Sequence, residues 1–264
     1  PFASLGGYVM WAATWTFDAG DGMDDMIVFM TSEGQVIIYT GTDPSSASLW
    51  SRVGTYFLGK PIGRRSYVQF AGDLLAVTLE GVYPMSEGIR KATINDRVAV
   101  TDKIKPTFTS SARNYFSTFG WDVTNYSYEN AMVFHVPASG GVQYVMNTIT
   151  GAWCQFKGWD AECFGIYNNE LYYGGSTVVQ KAWTGRSDDG ANIVAEGKTA
   201  WTNFGSSTQS KRFTMFRPMV QTNGSVSYLT DIDVDFKNTV MTGVASYSPA
   251  PGGVWGTGTW RTAT

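Results

Sequence analysis

The sequence contains little charge. Only 16% of its 264 residues are Asp, Glu, Lys or Arg, and the formal net charge at pH 7 is -3. A domain that grips nucleic acid through its phosphates normally carries a basic stripe or patch, so this balance argues against a dedicated nucleic-acid-binding domain. It does not exclude a surface past which DNA slides, because such a surface also avoids excess positive charge.

Cysteine and histidine are scarce. The two cysteines, Cys154 and Cys163, are too few for a disulfide framework; they could pair across a hairpin, but we expect two reduced thiols in the core. The single histidine, His135, is flanked by apolar residues in an apparent strand, and no nucleophile motif accompanies it. We predict a hydrogen-bonded strand histidine rather than a catalytic base. These three residues also lack the paired ligand spacing of a zinc site.

Long apolar runs are missing as well. No stretch is long enough to cross a bilayer as a helix, and no charged segment followed by an apolar one marks a signal peptide. The chain begins with Pro-Phe rather than Met, so we interpret it as a segment of a longer polypeptide.

Aromatic residues and glycine are abundant. Aromatics make up 15% of the chain, which also contains 30 glycines. Aromatic side chains favour strands and glycine favours tight turns, so this composition is typical of a β protein. The length permits one large β domain or two smaller ones.

One hairpin pattern occurs four times. In residues 24–39, two apolar runs flank Thr31-Ser32-Glu33-Gly34, whose glycine supplies the positive φ of a tight turn. The equivalent positions in the four hairpins lie eight residues apart and are Val28/Val36, Leu74/Val82, Phe134/Val142 and Leu171/Val179. Their intervals bracket the roughly 40 to 50 residues of a four-stranded propeller blade. The pattern predicts a mainly β fold of propeller-like blades, with a sandwich or irregular β domain as the alternative.

Two regions depart from this repeat. Residues 86–119 carry the mixed charges and polar starts of two short helices, which we interpret as an insertion on a partner-binding face. Beyond residue 210, Asn223-Gly224 predicts a hairpin between strands at residues 212–220 and 225–236, and a Gly-, Pro- and Trp-rich arm follows. We therefore divide the chain into a propeller-like domain, 1–210, and a C-terminal β hairpin and extended arm, 211–264.

Two acidic groups are candidate cation sites. Residues 18–25 hold four carboxylates in a glycine-containing loop, as calcium prefers, but their spacing is not that of an EF-hand and we favour a solvated turn. Asp231, Asp233 and Asp235 alternate and would share one face of a strand. That face must be solvated, paired with basic residues or metal-bound, and we expect solvation.

No pattern defines a catalytic, cofactor-binding or metal-binding residue. Residues 59–65 form the densest basic cluster but lack the order of a phosphate-binding loop, so we interpret them as a partner contact or a solvated turn. The basic residues that could contact a partner are Arg64, Arg65, Lys103, Lys105, Lys211 and Arg212. A glycosidase needs two carboxylates at a defined separation. The candidates, which the sequence does not assign to a pair, are Asp18, Asp21, Glu129 and Asp160.

Several short segments of the sequence resemble tail proteins of short-tailed bacteriophages and related prophages. They cover residues 6–25, 28–34, 39–44, 63–65, 72–75, 81–86, 102–104 and 255–260. The resemblance implies a structural virion component similar to the tail nozzle, or tail tubular protein B, of podoviruses. Those proteins combine a β-propeller with added β and helical elements and form a sixfold ring below the portal and adaptor.

The same resemblance implies the partners and the location. The ring surrounds the channel through which double-stranded DNA passes without sequence-specific contact, and it meets the adaptor and the tail fibres or spike. The protein would belong to the virion tail, assemble in the host cytoplasm and need neither catalysis nor a cofactor. The alternatives are a propeller glycosidase or carbohydrate-binding module acting on host surface glycans, and a calcium-stabilised adhesin.

Overall fold

The described part of the chain forms antiparallel sheets with two short α-helices. The structure, a computed structural model, describes residues 3–18, 23–90, 98–175, 177–185, 187, 190–215, 218–219, 226–238 and 244–247. The chain divides into two compact units, Pro1–Asn192 and Ile193–Thr264. Four sheets lie in the first unit and a two-stranded sheet lies in the second. The predicted mainly β character is confirmed.

The four sheets of the first unit follow one another along the chain, and in each of them the strands pair in chain order. Sheet A contains β1 (Val9–Asp18), β2 (Met23–Thr31), β3 (Gln35–Gly41) and β4 (Trp50–Phe57). Sheet B contains β5 (Tyr67–Phe70), β6 (Asp73–Thr78) and β7 (Gly81–Pro84). Sheet C contains β8 (Asp122–Tyr126), β9 (Ala131–Val136), β10 (Val142–Asn147) and β11 (Trp153–Lys157). Sheet D contains β12 (Cys163–Tyr167), β13 (Glu170–Gly174) and β14 (Val179–Lys181).

All four predicted hairpins are present, and they occupy equivalent places. Each one joins the second and third strands of its sheet, as β2–β3, β6–β7, β9–β10 and β13–β14. The pairs nearest the turns are Met30 with Val36, Thr78 with Gly81, Val136 with Val142, and Gly174 with Val179. The repeat read from the sequence is therefore a structural repeat of antiparallel meanders.

The sheets pack in series because the middle ones bury both faces. In β6, Leu74 and Ala76 join the core shared with sheet A, whereas Leu75 and Val77 join the core shared with sheet C. In β9, Met132, Phe134 and Val136 join this core between sheets B and C. Ala131 and Val133 join a third core, which sheet C shares with sheet D. Successive side chains of a strand point to opposite faces, so two strands that are buried on both faces, β6 and β9, serve three cores.

Both helices of the predicted insertion are present, as α1 (Met85–Arg90) and α2 (Lys105–Tyr115). Helix α2 buries Phe108 and Ala112, which lie four residues apart on one stripe, in the core between sheets B and C. The insertion was expected to lie on a partner-binding face. The apolar stripe of α2 fills a core, while its other side, with Pro106, Thr107 and Ser110, is exposed, so the partner-binding face stays a prediction.

The second unit differs from its prediction. Strand β15 (Val226–Leu229) pairs with β16 (Val244–Tyr247), and the described residues of the predicted partner strand, 212–215 and 218–219, do not lie in a strand. The predicted strand at residues 225–236 is wrong beyond Leu229, since the chain there is irregular and Asp235 has a φ of +54°. Aspartate is depleted in strands, so the strand ends before Asp231, Asp233 and Asp235 and does not include them. The Asn223-Gly224 turn lies outside the described residues.

Candidate interaction surfaces

His135 is a buried structural residue of β9. Its side chain is 1% exposed, and its Nδ1 lies 3.0 Å from Nε2 of Gln143. The same Gln143 nitrogen donates to the Trp159 carbonyl oxygen at 2.8 Å. An amide nitrogen only donates, so Nδ1 accepts and the histidine proton lies on Nε2. Burial, and secondarily the charge of Arg65, lowers the pKa of His135 to about 4. The predicted hydrogen-bonded strand histidine is confirmed.

Arg65 and Asp122 join three sheets. Arg65 precedes β5 and lies 3.4 Å from the carboxylate of Asp122 on β8, and it donates to the Glu162 carbonyl at 2.8 Å. The same Asp122 oxygen accepts from the Phe164 backbone N–H on β12 at 3.1 Å. Burial raises the pKa of Asp122, against the opposing effect of these hydrogen bonds and of Arg65. The hypothesis of a partner contact or solvated turn is therefore wrong for Arg65, which holds sheets B, C and D together.

The other predicted basic residues have varied surroundings. Lys103 donates to the Gly151 carbonyl at 2.9 Å, and Lys105 begins helix α2. Arg64 is exposed. In the second unit, Lys211 donates to the Ser206 carbonyl, and Arg212 is exposed. Lys103 and Lys211 thus form hydrogen bonds within the chain.

The cysteines are free, but they are not core residues. Both Cys154 and Cys163 are unpaired and exposed. They lie on β11 and β12, the edge strands of sheets C and D. Residues on an edge strand are covered from fewer directions, so the predicted burial of both thiols is wrong, while their free state is confirmed.

The candidate glycosidase carboxylates do not form a pair where they are described. Glu129 follows β8, whereas Asp160 follows β11, which runs to the opposite end of sheet C. The intervening strand β9 has six residues and separates those ends by about 20 Å. A glycosidase pair needs roughly 5 to 9.5 Å. The side chains of Asp18 and Asp21 lie outside the described residues.

The acidic groups have equally local explanations. The calcium hypothesis for residues 18–25 falls mostly on residues outside the described part, where β1 turns into β2. Thr16 donates to Asp25 at 2.9 Å beside this turn. In the second unit, Asp233 forms an ion pair with Lys198. The described residues contain no group of three or more His, Cys, Asp or Glu side chains arranged to hold a metal ion.

Sheet D has a face that points away from sheet C, which we call the outer face of sheet D. Leu171 and Tyr173 of β13 enter the core, so their neighbours point outward together with the residues paired to them. This face consists of Cys163, Gly165, Tyr167, Glu170, Tyr172, Gly174, Val179 and Lys181. Tyr167 and Val179 are 69% and 75% exposed. At the end of this face next to the turn between β12 and β13, Glu170 accepts from both Tyr172 and Lys181.

Aromatic rings meet in and beside the core between sheets C and D. Tyr126 is buried, and the rings of Tyr128 and Trp183 lie 6.3 and 5.7 Å from it. We call these three residues the aromatic ledge. Behind it, Trp183 contacts Trp159 at 5.1 Å, and Trp159 stacks on Tyr173 at 5.3 Å. Sequence reasoning missed this cluster, since its only sequence signal is the general abundance of aromatic residues.

Comparisons with known proteins provide no further identification. No model of a known protein family matches the chain, and no curated protein matches it. Within the described part of the chain, no helix is long and apolar enough to cross a membrane.

Proposed function

We propose that this chain is a structural subunit of the tail nozzle, or hub, of a short-tailed bacteriophage. In this role it assembles into a homo-oligomeric ring around the genome-exit channel, joins the adaptor and portal to the distal tail parts, and belongs to the virion. The resemblance of the sequence to such tail proteins motivates the proposal, and the serial packing of the sheets is the structural observation that supports it.

The serial packing leaves a place for another sheet. Sheets B and C are each buried between two neighbours, whereas the outer face of sheet D presents Tyr167 and Val179 to solvent. A ring subunit needs two different contact surfaces whose rotation closes the ring. We assign one of these surfaces to the outer face of sheet D.

The four meanders also support the finer proposal of a propeller. Each is a blade-like sheet whose strands pair in chain order, and its second and third strands repeat at equivalent positions. In a propeller, such sheets are arranged around an axis and each packs on its neighbours. Closure around that axis is part of the proposal.

The test is assembly of the full chain, measured by mass photometry and negative-stain electron microscopy. We expect closed rings, and we expect Val179→Glu to reduce them, because a charge would be desolvated in the contact. The matched control is Val194→Glu in the second unit, where Val194 is 84% exposed. A monomer at every concentration tested would overturn the proposal, and rings unaffected by Val179→Glu would reject this contact surface.

A carbohydrate-binding role is a second candidate because the aromatic ledge has the chemistry for it. Its catalytic version, a glycosidase, predicts sugar release by the purified protein. Measured turnover on a host-surface glycan would overturn the structural proposal in favour of that enzyme. The binding version is compatible with a structural subunit and is developed next.

A further inference from the structure

We propose that the aromatic ledge binds a neutral oligosaccharide, with the rings of Tyr128 and Trp183 stacking on the faces of its pyranose rings. This inference does not depend on ring assembly. It rests on three features of the ledge: the exposure of its rings, the backbone conformation of Trp183 and the polar groups around it.

The two outer rings of the ledge are available to a ligand. Tyr128 is 71% exposed and Trp183 is 38% exposed, while Tyr126 between them is 5% exposed. The Tyr126 hydroxyl donates to the Asn169 carbonyl at 2.9 Å, which holds the central ring in place. Two accessible rings on a rigid central ring make a preformed apolar platform, so little conformational freedom is lost when a flat ligand face binds.

Trp183 has a strained backbone conformation. Its φ is +55°, a left-handed value that is an outlier for a bulky side chain. Surrounding contacts hold it there, since the Ala182 N–H donates to the Leu171 carbonyl and the ring packs on Trp159 and Phe156. Backbone strain of this kind persists where the surrounding structure enforces it, and it clusters at ligand sites.

The rim of the ledge carries both donors and acceptors, which sugar hydroxyls require. Glu170 on β13 accepts from Tyr172 and Lys181, and the two charged side chains are about 40% exposed. Burial raises the pKa of Tyr126, and the nearby carboxylates of Glu129 and Glu170 raise it further. Glu170 follows Asn169, whose carbonyl oxygen accepts from the Tyr126 hydroxyl, and Glu129 follows Tyr128, so both acidic residues adjoin the ledge.

The charge of this rim favours a neutral ligand. Two acidic residues, Glu129 and Glu170, are chain neighbours of Tyr128 and of Asn169, whose carbonyl accepts from Tyr126, and the nearby ammonium group of Lys181 is paired with Glu170. An anionic sugar would meet net repulsion there, because like charges at close range disfavour binding. A neutral oligosaccharide can instead donate its hydroxyls to the carboxylates and accept from Lys181.

The experiment is isothermal titration calorimetry of the full chain with maltohexaose, cellohexaose and chitohexaose. We expect saturable binding of at least one of them, weakened roughly tenfold or more by Trp183→Ala and by Tyr128→Ala, as for aromatic residues central to a contact. Trp201→Ala is the matched control, since Trp201 is 41% exposed in the other unit and should bind as the unchanged protein does.

Folding of each variant is checked by circular dichroism and thermal melting. If Trp183→Ala unfolds, Tyr128→Ala carries the test, because its side chain is largely exposed. No binding of any of the three hexasaccharides, or equal binding by the unchanged protein and Tyr128→Ala, would overturn the inference. Rings without sugar binding would overturn this inference alone, whereas a sugar-binding monomer would overturn only the proposed ring.

Discussion

At Gly141, the backbone lies so close to the backbone of Trp159 that there is no room for a side chain. The residue has a φ of +65°, and a Cβ atom there would lie 1.7 Å from the Trp159 carbonyl oxygen. The neighbouring Gly140 has a φ of +80°, and a Cβ atom there would meet nothing within 4 Å. The same turn therefore contains one glycine required for backbone conformation alone and one required also for space.

This difference predicts unequal losses of stability. Gly140→Ala should lower the free energy of unfolding by about 1 to 2 kcal/mol through its left-handed conformation. Gly141→Ala should lower it by roughly 2 kcal/mol more, because the chain around Trp159 must also shift. Urea denaturation of the two variants measures the difference. Equal losses would show that this segment moves aside without cost.

His135 predicts a dependence of stability on pH. Its pKa is about 4 in the folded protein, against an ordinary value of 6.5. Over most of the pH range between these two values, only the unfolded chain takes up the proton. Stability should therefore fall as pH decreases from about 6.5 to 4, by up to about 3 kcal/mol from this residue. Protonation would also set an N–H of His135 against the amide nitrogen of Gln143, a second donor.

The comparison protein for this prediction is His135→Gln, measured by urea denaturation at pH 7 and pH 4.5. The glutamine can still accept from Gln143 but does not titrate, so we expect its stability to change less with pH. The raised pKa of Asp122 acts in the opposite direction and is common to both proteins. A parallel pH dependence in the two proteins would contradict the assignment to His135.

At the scale of elements, helix α2 illustrates how a local pattern acquires a structural role. Phe108 is fully buried, and its ring lies 6.0 to 6.5 Å from those of Tyr144, Trp121 and Phe134. The polar start of the segment predicts a helix, yet only the packing shows that this ring closes the core between two sheets. An insertion in the sequence is thus an internal support of the fold.

Phe108→Ala should accordingly destabilise the protein strongly. Loss of a fully buried phenylalanine costs about 3 to 5 kcal/mol because a cavity remains. Phe116, just beyond the same helix, is 54% exposed, and Phe116→Ala should change stability by no more than about 0.5 kcal/mol. Chemical denaturation of both variants makes the comparison. Similar small effects would mean that α2 contributes little to the core.

At the scale of the whole molecule, the order of the sheets predicts the order of hydrogen exchange. Sheets B and C are covered on both faces, so amides of β6 and β9 should exchange slowest. Amides of β14 in sheet D and of the two-stranded sheet β15–β16 should exchange faster, because fewer contacts protect them. Exchange measured by mass spectrometry on the full chain provides the test, and uniform protection would contradict the serial arrangement.

The sequence by itself determined the features that depend on neighbouring residues. The four hairpins followed from apolar runs on either side of a glycine-containing turn, and the strand position of His135 followed from its flanking residues. The C-terminal hairpin failed because a strand's partner is a distant segment: β15 pairs with β16, and local turn residues do not identify that partner.

The tertiary structure alone decided which residues meet across elements. Arg65, next to sheet B, contacts Asp122 of sheet C and Glu162 next to sheet D. Trp183, which follows sheet D, contacts Tyr126 of sheet C. It also exposed both cysteines by placing them on edge strands. The physical reason is that burial, charge pairing and ring stacking depend on distance in space, which a one-dimensional pattern specifies only within a single turn, helix or hairpin.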